Sequence, residues 1–150
     1  MEASLIGSRE ILKGEKNKWE SIIAQNKSAL PNEIYAIVCS MNRSLNEKDG
    51  FRRQAVPTLV YKYFAEMKAM FTNVKSMLKQ DGLYGLVVGH NKTTLGGTEF
   101  CIDTPYLLAV LAEDCGWKVE ELFPLQTYKR YGLNAKNAIN KETLVILRNM

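Results

Sequence analysis

The sequence has no long apolar run, no clustered cysteines and almost no histidine, and each shortage removes a class of function. No stretch approaches the length needed to cross a bilayer. The amino terminus, MEASLIGSREILKG, lacks the apolar core of a secretion signal, and its opening residues look like a segment cut from a longer chain. Cys39, Cys101 and Cys115 show no metal-ligand spacing and leave an odd thiol over. Buried, reduced thiols of a cytoplasmic protein are therefore expected rather than a disulfide set. His90 is the single histidine and no Cys-x-x-Cys is present, so a structural zinc site is unsupported. No internal repeat or low-complexity segment is apparent.

What is present suits one compact domain with a real core: 150 residues, 46% hydrophobic and 24% charged. The formal net charge of +4 permits a polyanionic partner, though solvated lysines on helix faces give the same balance.

Residues 1–50 read as a helical amino-terminal segment. Ile11, Leu12, Trp19, Ile22 and Ile23 suggest an amphipathic helix from Ser8 to about Asn26, weakened by Gly14. A second helix is expected to start at Pro31, with Ile34, Tyr35, Ile37, Val38 and Met41 on its apolar face. The polar stretch Asn42 to Gly50 then reads as a loop.

Residues 51–150 read as an α/β layer. Val60, Tyr63, Phe64, Met67, Met70, Phe71, Val74, Met77 and Leu78 recur at helical spacing, a stripe that is core in character. Asp81-Gly82 closes this helix, with the glycine expected to take the left-handed conformation. Leu83 to Gly89 is a nearly continuous apolar run, which suits a central strand covered on both faces. HNKTTLGGTEF reads as a loop. Asp103 can cap a helix from Thr104 to Cys115, with Pro105 in its first turn and Gly116 as its stop. Trp117 to Gln126 and Thr143 to Arg148 read as strands, Pro124 placing the far end of the first at an edge. The strand–helix–strand step predicts a right-handed crossover.

YKYFAEMKAMFTNVKSMLKQDGLYGLVVGHN resembles the helix-and-strand segment near the end of class I S-adenosylmethionine-dependent DNA methyltransferases of the amino-methylating kind. The similarity rests on Tyr61, Phe64 and Met67, on the turn Leu78 to Gly82, and on the strand end Val87, Val88, Gly89, His90, Asn91. CIDTPYLLAVLAEDCGWKVEEL resembles the next helix and strand, with Trp117 in an aromatic place, and TYKRYGLNAKNAINKETLVILRN resembles the closing segment. Together these span Val60 to Asn149.

The resemblance implies a partial Rossmann-like methyltransferase sheet of about three strands. In it the last strand, Thr143 to Arg148, runs antiparallel between the Leu83 and Trp117 strands. It also implies S-adenosylmethionine as cofactor of the intact enzyme and DNA as partner. Other parts of the family's pattern are missing. There is no glycine-rich turn after a first strand, no acidic ribose-binding residue beyond it, and no Asp/Asn/Ser-Pro-Pro-aromatic loop; Pro31, Pro57, Pro105 and Pro124 are all isolated. No catalytic residue is assigned. The missing half is expected upstream or on a partner subunit, and the polypeptide alone is not expected to bind the cofactor usefully. An exposed sheet edge would also permit a homodimer.

Site candidates follow from position. His90 and Asn91 end the first strand, where open α/β sheets build their sites, and Lys92 could contact phosphate; ordinary loop roles are the alternative. Arg52 and Arg53, with Lys129 and Arg130 in the late basic loop, are the candidates for nucleic-acid backbone contacts, or else a solvated charged face. Tyr128 and Tyr131 are placed to stack on bases. A non-catalytic methyltransferase-like module that binds DNA or a partner subunit remains the alternative function.

Overall fold

A computed structural model describes residues 14–125 and 142–150. Helices come first: α1 Lys16–Ala24, α2 Asn32–Ser44, the single turn α3 Phe51–Gln54, and α4 Val56–Met77. Then follow β1 Leu83–Gly89, β2 Asn91–Leu95, β3 Thr98–Ile102, α5 Thr104–Asp114, β4 Trp117–Leu125 and β5 Glu142–Asn149. The fold is mixed α/β, with a small antiparallel sheet and packed helices.

The long helix α4 organises the core. Tyr61, Phe64, Met67 and Phe71 are buried along it, while Met77, at the end of the expected stripe, is 82% exposed. Tyr61 lies outside that stripe, yet it anchors the amino-terminal helices. Its hydroxyl donates to Asn26 Oδ1 at 2.9 Å and accepts the Ser28 N–H at 3.1 Å. Trp19 and Tyr35 meet its ring edge-on, at centroid distances of 6.4 and 6.5 Å. Ile34, Val38 and Met41 of α2 join the same core as Leu108 and Leu111 of α5 and Val145 and Leu147 of β5.

The end of α4 differs from expectation in one detail. Asp81 adopts the left-handed conformation (φ 62°) instead of Gly82. The glycine is required for space, since a Cβ there would stand 2.9 Å from the Lys79 carbonyl oxygen. The carbonyls that α4 leaves open are taken up from the far end of the sequence. Asn149 Nδ2 donates to the carbonyls of Lys75, Leu78 and Lys79 at 3.1, 2.9 and 3.2 Å. Lys75 Nζ returns a bond to Asn149 Oδ1 at 3.0 Å and also reaches the Gly116 and Met150 carbonyls. That ammonium lies 5.6 Å from the ring centroid of Trp117, whose indole N–H donates to the Phe71 carbonyl at 3.2 Å.

The three-stranded sheet has the order β1-β5-β4, and β5 is antiparallel to both neighbours. Leu83 pairs with Arg148 and Gly89 with Glu142 on one side; Trp117 pairs with Asn149 and Leu125 with Glu142 on the other. A register shift between Val119 and Glu121 bends β4. The resemblance places the last strand between its two predecessors, and the described strands have that order.

The expectation that β1 is a central strand covered on both faces is overturned. Among the described residues it is an edge strand, and Leu83 and Val87 on one face are 56% and 61% exposed. Tyr84, Leu86 and Val88 on the other face pack toward the helices. A continuous apolar run does not distinguish a central strand from an edge strand with one face turned outward.

HNKTTLGGTEF is also corrected, from loop to hairpin. β2 and β3 pair from Asn91–Ile102 to Leu95–Thr98. Gly96 and Gly97 form the turn with φ of +56° and +80°, the double positive φ that a two-residue hairpin of this twist requires. Gly96 is pressed against the end of α2: a Cβ on it would lie 1.6 Å from the Ser44 carbonyl oxygen.

Candidate functional site

His90, Asn91, Asp103 and Thr104 meet where β1 passes into β2 and where α5 begins. Asp103 is the helix cap expected from sequence, its Oδ1 accepting the Tyr106 N–H at 3.2 Å. The same oxygen lies 3.1 Å from His90 Nε2. Asn91 Nδ2 donates to Thr104 Oγ1 at 2.8 Å. The strand end and the helix start are thus tied by two side-chain contacts from adjacent residues.

A carboxylate on Nε2 fixes the ring and, in the neutral imidazole, leaves Nδ1 as the acceptor. That nitrogen is buried and has no hydrogen-bond partner. The pair therefore orients an imidazole without presenting a base to a reacting group in this conformation. Sequence reading found His90 and Asn91 but took Asp103 only as a cap. Its contact with His90 carries no local signal, because the two residues lie 13 apart and meet through the fold.

The remaining candidates do not converge on that point. Lys92 lies on the exposed hairpin, its Nζ 3.2 Å from Glu99 Oε2. Arg52 and Arg53 belong to α3, the turn directly before α4, and Arg53 sits 3.8 Å from Asp49 Oδ1. Lys129 and Arg130, with Tyr128 and Tyr131, lie outside the described residues.

Elsewhere, charge and burial act locally. The Arg148 guanidinium, bonded to Glu120 Oε1 at 2.6 Å, holds that carboxyl below its usual range. Burial pushes the Cys115 thiol and the Tyr63 phenol up. All three thiols are free, but Cys101 is exposed and Cys39 and Cys115 are half-buried, which corrects the expectation of three buried thiols.

Among the described residues no group of three or more histidine, cysteine or acidic side chains could hold a metal. Nor do they fit S-adenosylmethionine. Gly85 and Gly89 lie within β1, Gly96 abuts Ser44, and no glycine-rich turn opens a helix toward a cofactor. No helix among the described residues is long and apolar enough to cross a membrane. No family model, curated protein or solved structure matches the chain.

Proposed function

We propose that this chain is the carboxyl-terminal portion of a DNA modification methyltransferase. The intact enzyme would transfer a methyl group from S-adenosylmethionine to an exocyclic amine of a flipped-out base. The observation that carries this reading is the insertion of β5, the last strand in sequence, antiparallel between β1 and β4. Sequential strands usually neighbour one another, so this order is not a default outcome of alternating helices and strands. It coincides with the helix, strand and closing motifs that carry the resemblance, in the same segment of chain.

In this reading the cofactor cradle and catalytic loop belong to a companion part, and this portion supplies a wall of the domain and DNA contacts. The test is to purify the chain together with the product of its adjoining coding sequence and assay transfer of a labelled methyl group to duplex DNA. Label is expected on an adenine or cytosine amine, and calorimetry on this chain alone is expected to show no micromolar cofactor binding. An assembly that leaves DNA unlabelled would sink the proposal. DNA binding without transfer would favour the non-catalytic module, a reading suited to described residues that offer no cofactor cradle.

A further inference from the structure

The most exposed large apolar side chain in the described structure is Phe51, at 91%. Burying such a ring is ordinarily worth about 1.5–3 kcal/mol, free energy that a partner's surface can recover. A phenyl on a slack loop would mean little, but this one stands on a firmly held segment. Asp49 is only 8% exposed, and its Oδ2 accepts the N–H groups of Asn46 at 3.0 Å and Gly96 at 2.9 Å. Asn46 Oδ1 accepts the Lys48 N–H at 2.9 Å, and Gln54 Nε2 donates to the carbonyls of Asn46 and Asp49 at 2.8 and 3.3 Å. The Gln54 N–H closes onto the Gly50 carbonyl at 3.0 Å. The backbone on both sides of Phe51 is therefore tied to itself and to the hairpin tip.

The exposed charges of residues 46–54 have one dominant sign. Lys48, Arg52 and Arg53 are exposed, while of the two carboxylates in residues 46–54 only Glu47 is exposed. The Asp49 charge is turned inward onto amide donors and the Arg53 guanidinium. Phe51 is thus an exposed aromatic face in a segment whose exposed charges are mostly cationic. It fits a flat, sequence-tolerant apolar surface joined to regularly spaced anions.

We propose that residues 46–54 form a nucleic-acid contact in which Phe51 stacks on an unpaired base while Lys48 and Arg52 hold the adjoining phosphates. An unpaired strand is the occupant because a duplex hides its base faces, and opening a step costs a few kcal/mol. Preorganisation by the Asp49 and Gln54 bonds reduces the ordering cost of binding. The inference rests on the nucleic-acid part of the function proposed above and adds a surface to it.

The test uses the whole chain, a fluorescent mixed-sequence single strand and its duplex, with anisotropy read over a range of salt. Phe51→Ala is expected to weaken single-strand binding about tenfold, with a smaller effect on duplex. Phe51→Trp is expected to restore the affinity and to show fluorescence quenching on binding, and Arg52→Ala to lower the log–log salt slope by about 0.7. An unchanged urea midpoint for Phe51→Ala separates lost contact from lost fold. Native-like binding by Phe51→Ala, or a native chain that binds neither probe, overturns this inference; the proposed function is overturned separately, by an assembly that leaves DNA unlabelled. Capture by anionic vesicles that Phe51→Ala abolishes, with no strand binding, would reassign the patch to a membrane surface.

Discussion

Replacing Gly96 by alanine tests how firmly the hairpin tip is seated. Its φ of +56° is a left-handed conformation that costs an L side chain roughly 1–2 kcal/mol. The added Cβ would also fall 1.6 Å from the Ser44 carbonyl oxygen and 2.8 Å from its carbon, and both atoms are backbone. No rotamer change can relieve that overlap, so the tip must retreat from α2. Retreat breaks the 2.9 Å bond from the Gly96 N–H to buried Asp49, a bond to a charged group worth about 1.5–3 kcal/mol. It also unseats the fully buried Leu95. The sum is about 3–5 kcal/mol, a large part of the 5–15 kcal/mol typical of a domain. With a slope of about 2 kcal/mol per molar, the urea midpoint should fall by roughly 1.5–2.5 M. Gly97→Ala is the internal control: φ is +80° but nothing lies within 4 Å of its Cβ position, so only the backbone cost of roughly 1–2 kcal/mol applies. Equal midpoints for the two variants would refute the argument that contact with Ser44, rather than glycine content, decides this position.

Asn149→Ala removes the one amide nitrogen that reaches three carbonyls at the end of α4, and with it the acceptor for Lys75, and should cost about 2–4 kcal/mol in chemical denaturation; a loss below about 1 kcal/mol would show that water replaces the amide. Glu120 has its pKa depressed by Arg148, so its pairing stabilises the fold above the ordinary carboxyl value of 4.5 and is lost as pH falls through the lower folded-state value. Glu120→Gln should therefore flatten the acid limb of the stability profile, and a variant with the native slope would remove Glu120 from that account.

How much was legible beforehand depends on what each signal measures. The β-branched and aliphatic runs marked β1, β4 and β5, and Asp103 with Pro105 marked the start of α5, because those signals are local. The order of the strands is not local, and it came from the likeness of the closing segment to a known family. The hairpin has a weak strand pattern in the sequence because Lys92, Thr94, Glu99 and Cys101 turn to solvent, leaving Leu95 and Ile102 as its buried residues. Its Gly96-Gly97 pair was nevertheless a sufficient turn signal. The His90–Asp103 contact joins residues 13 apart through a hairpin, so no spacing rule would reveal it. Phe51 was invisible as a feature, since sequence does not say which aromatic stays outside.

The position of β5 also bears on how the chain reaches its folded state during synthesis. Among the described residues β1 and β4 are linked only through β5, so neither can complete that ladder before residues 142–149 have emerged from the ribosome. Until then α4 keeps open carbonyls, because their donor is Asn149. The helices can collapse early, but the sheet is assembled late and long-range, leaving β1 and its exposed Leu83 and Val87 unpaired in the meantime. A chain whose synthesis is interrupted before residue 142 would hold a helical, strand-exposing intermediate of the kind that chaperones bind.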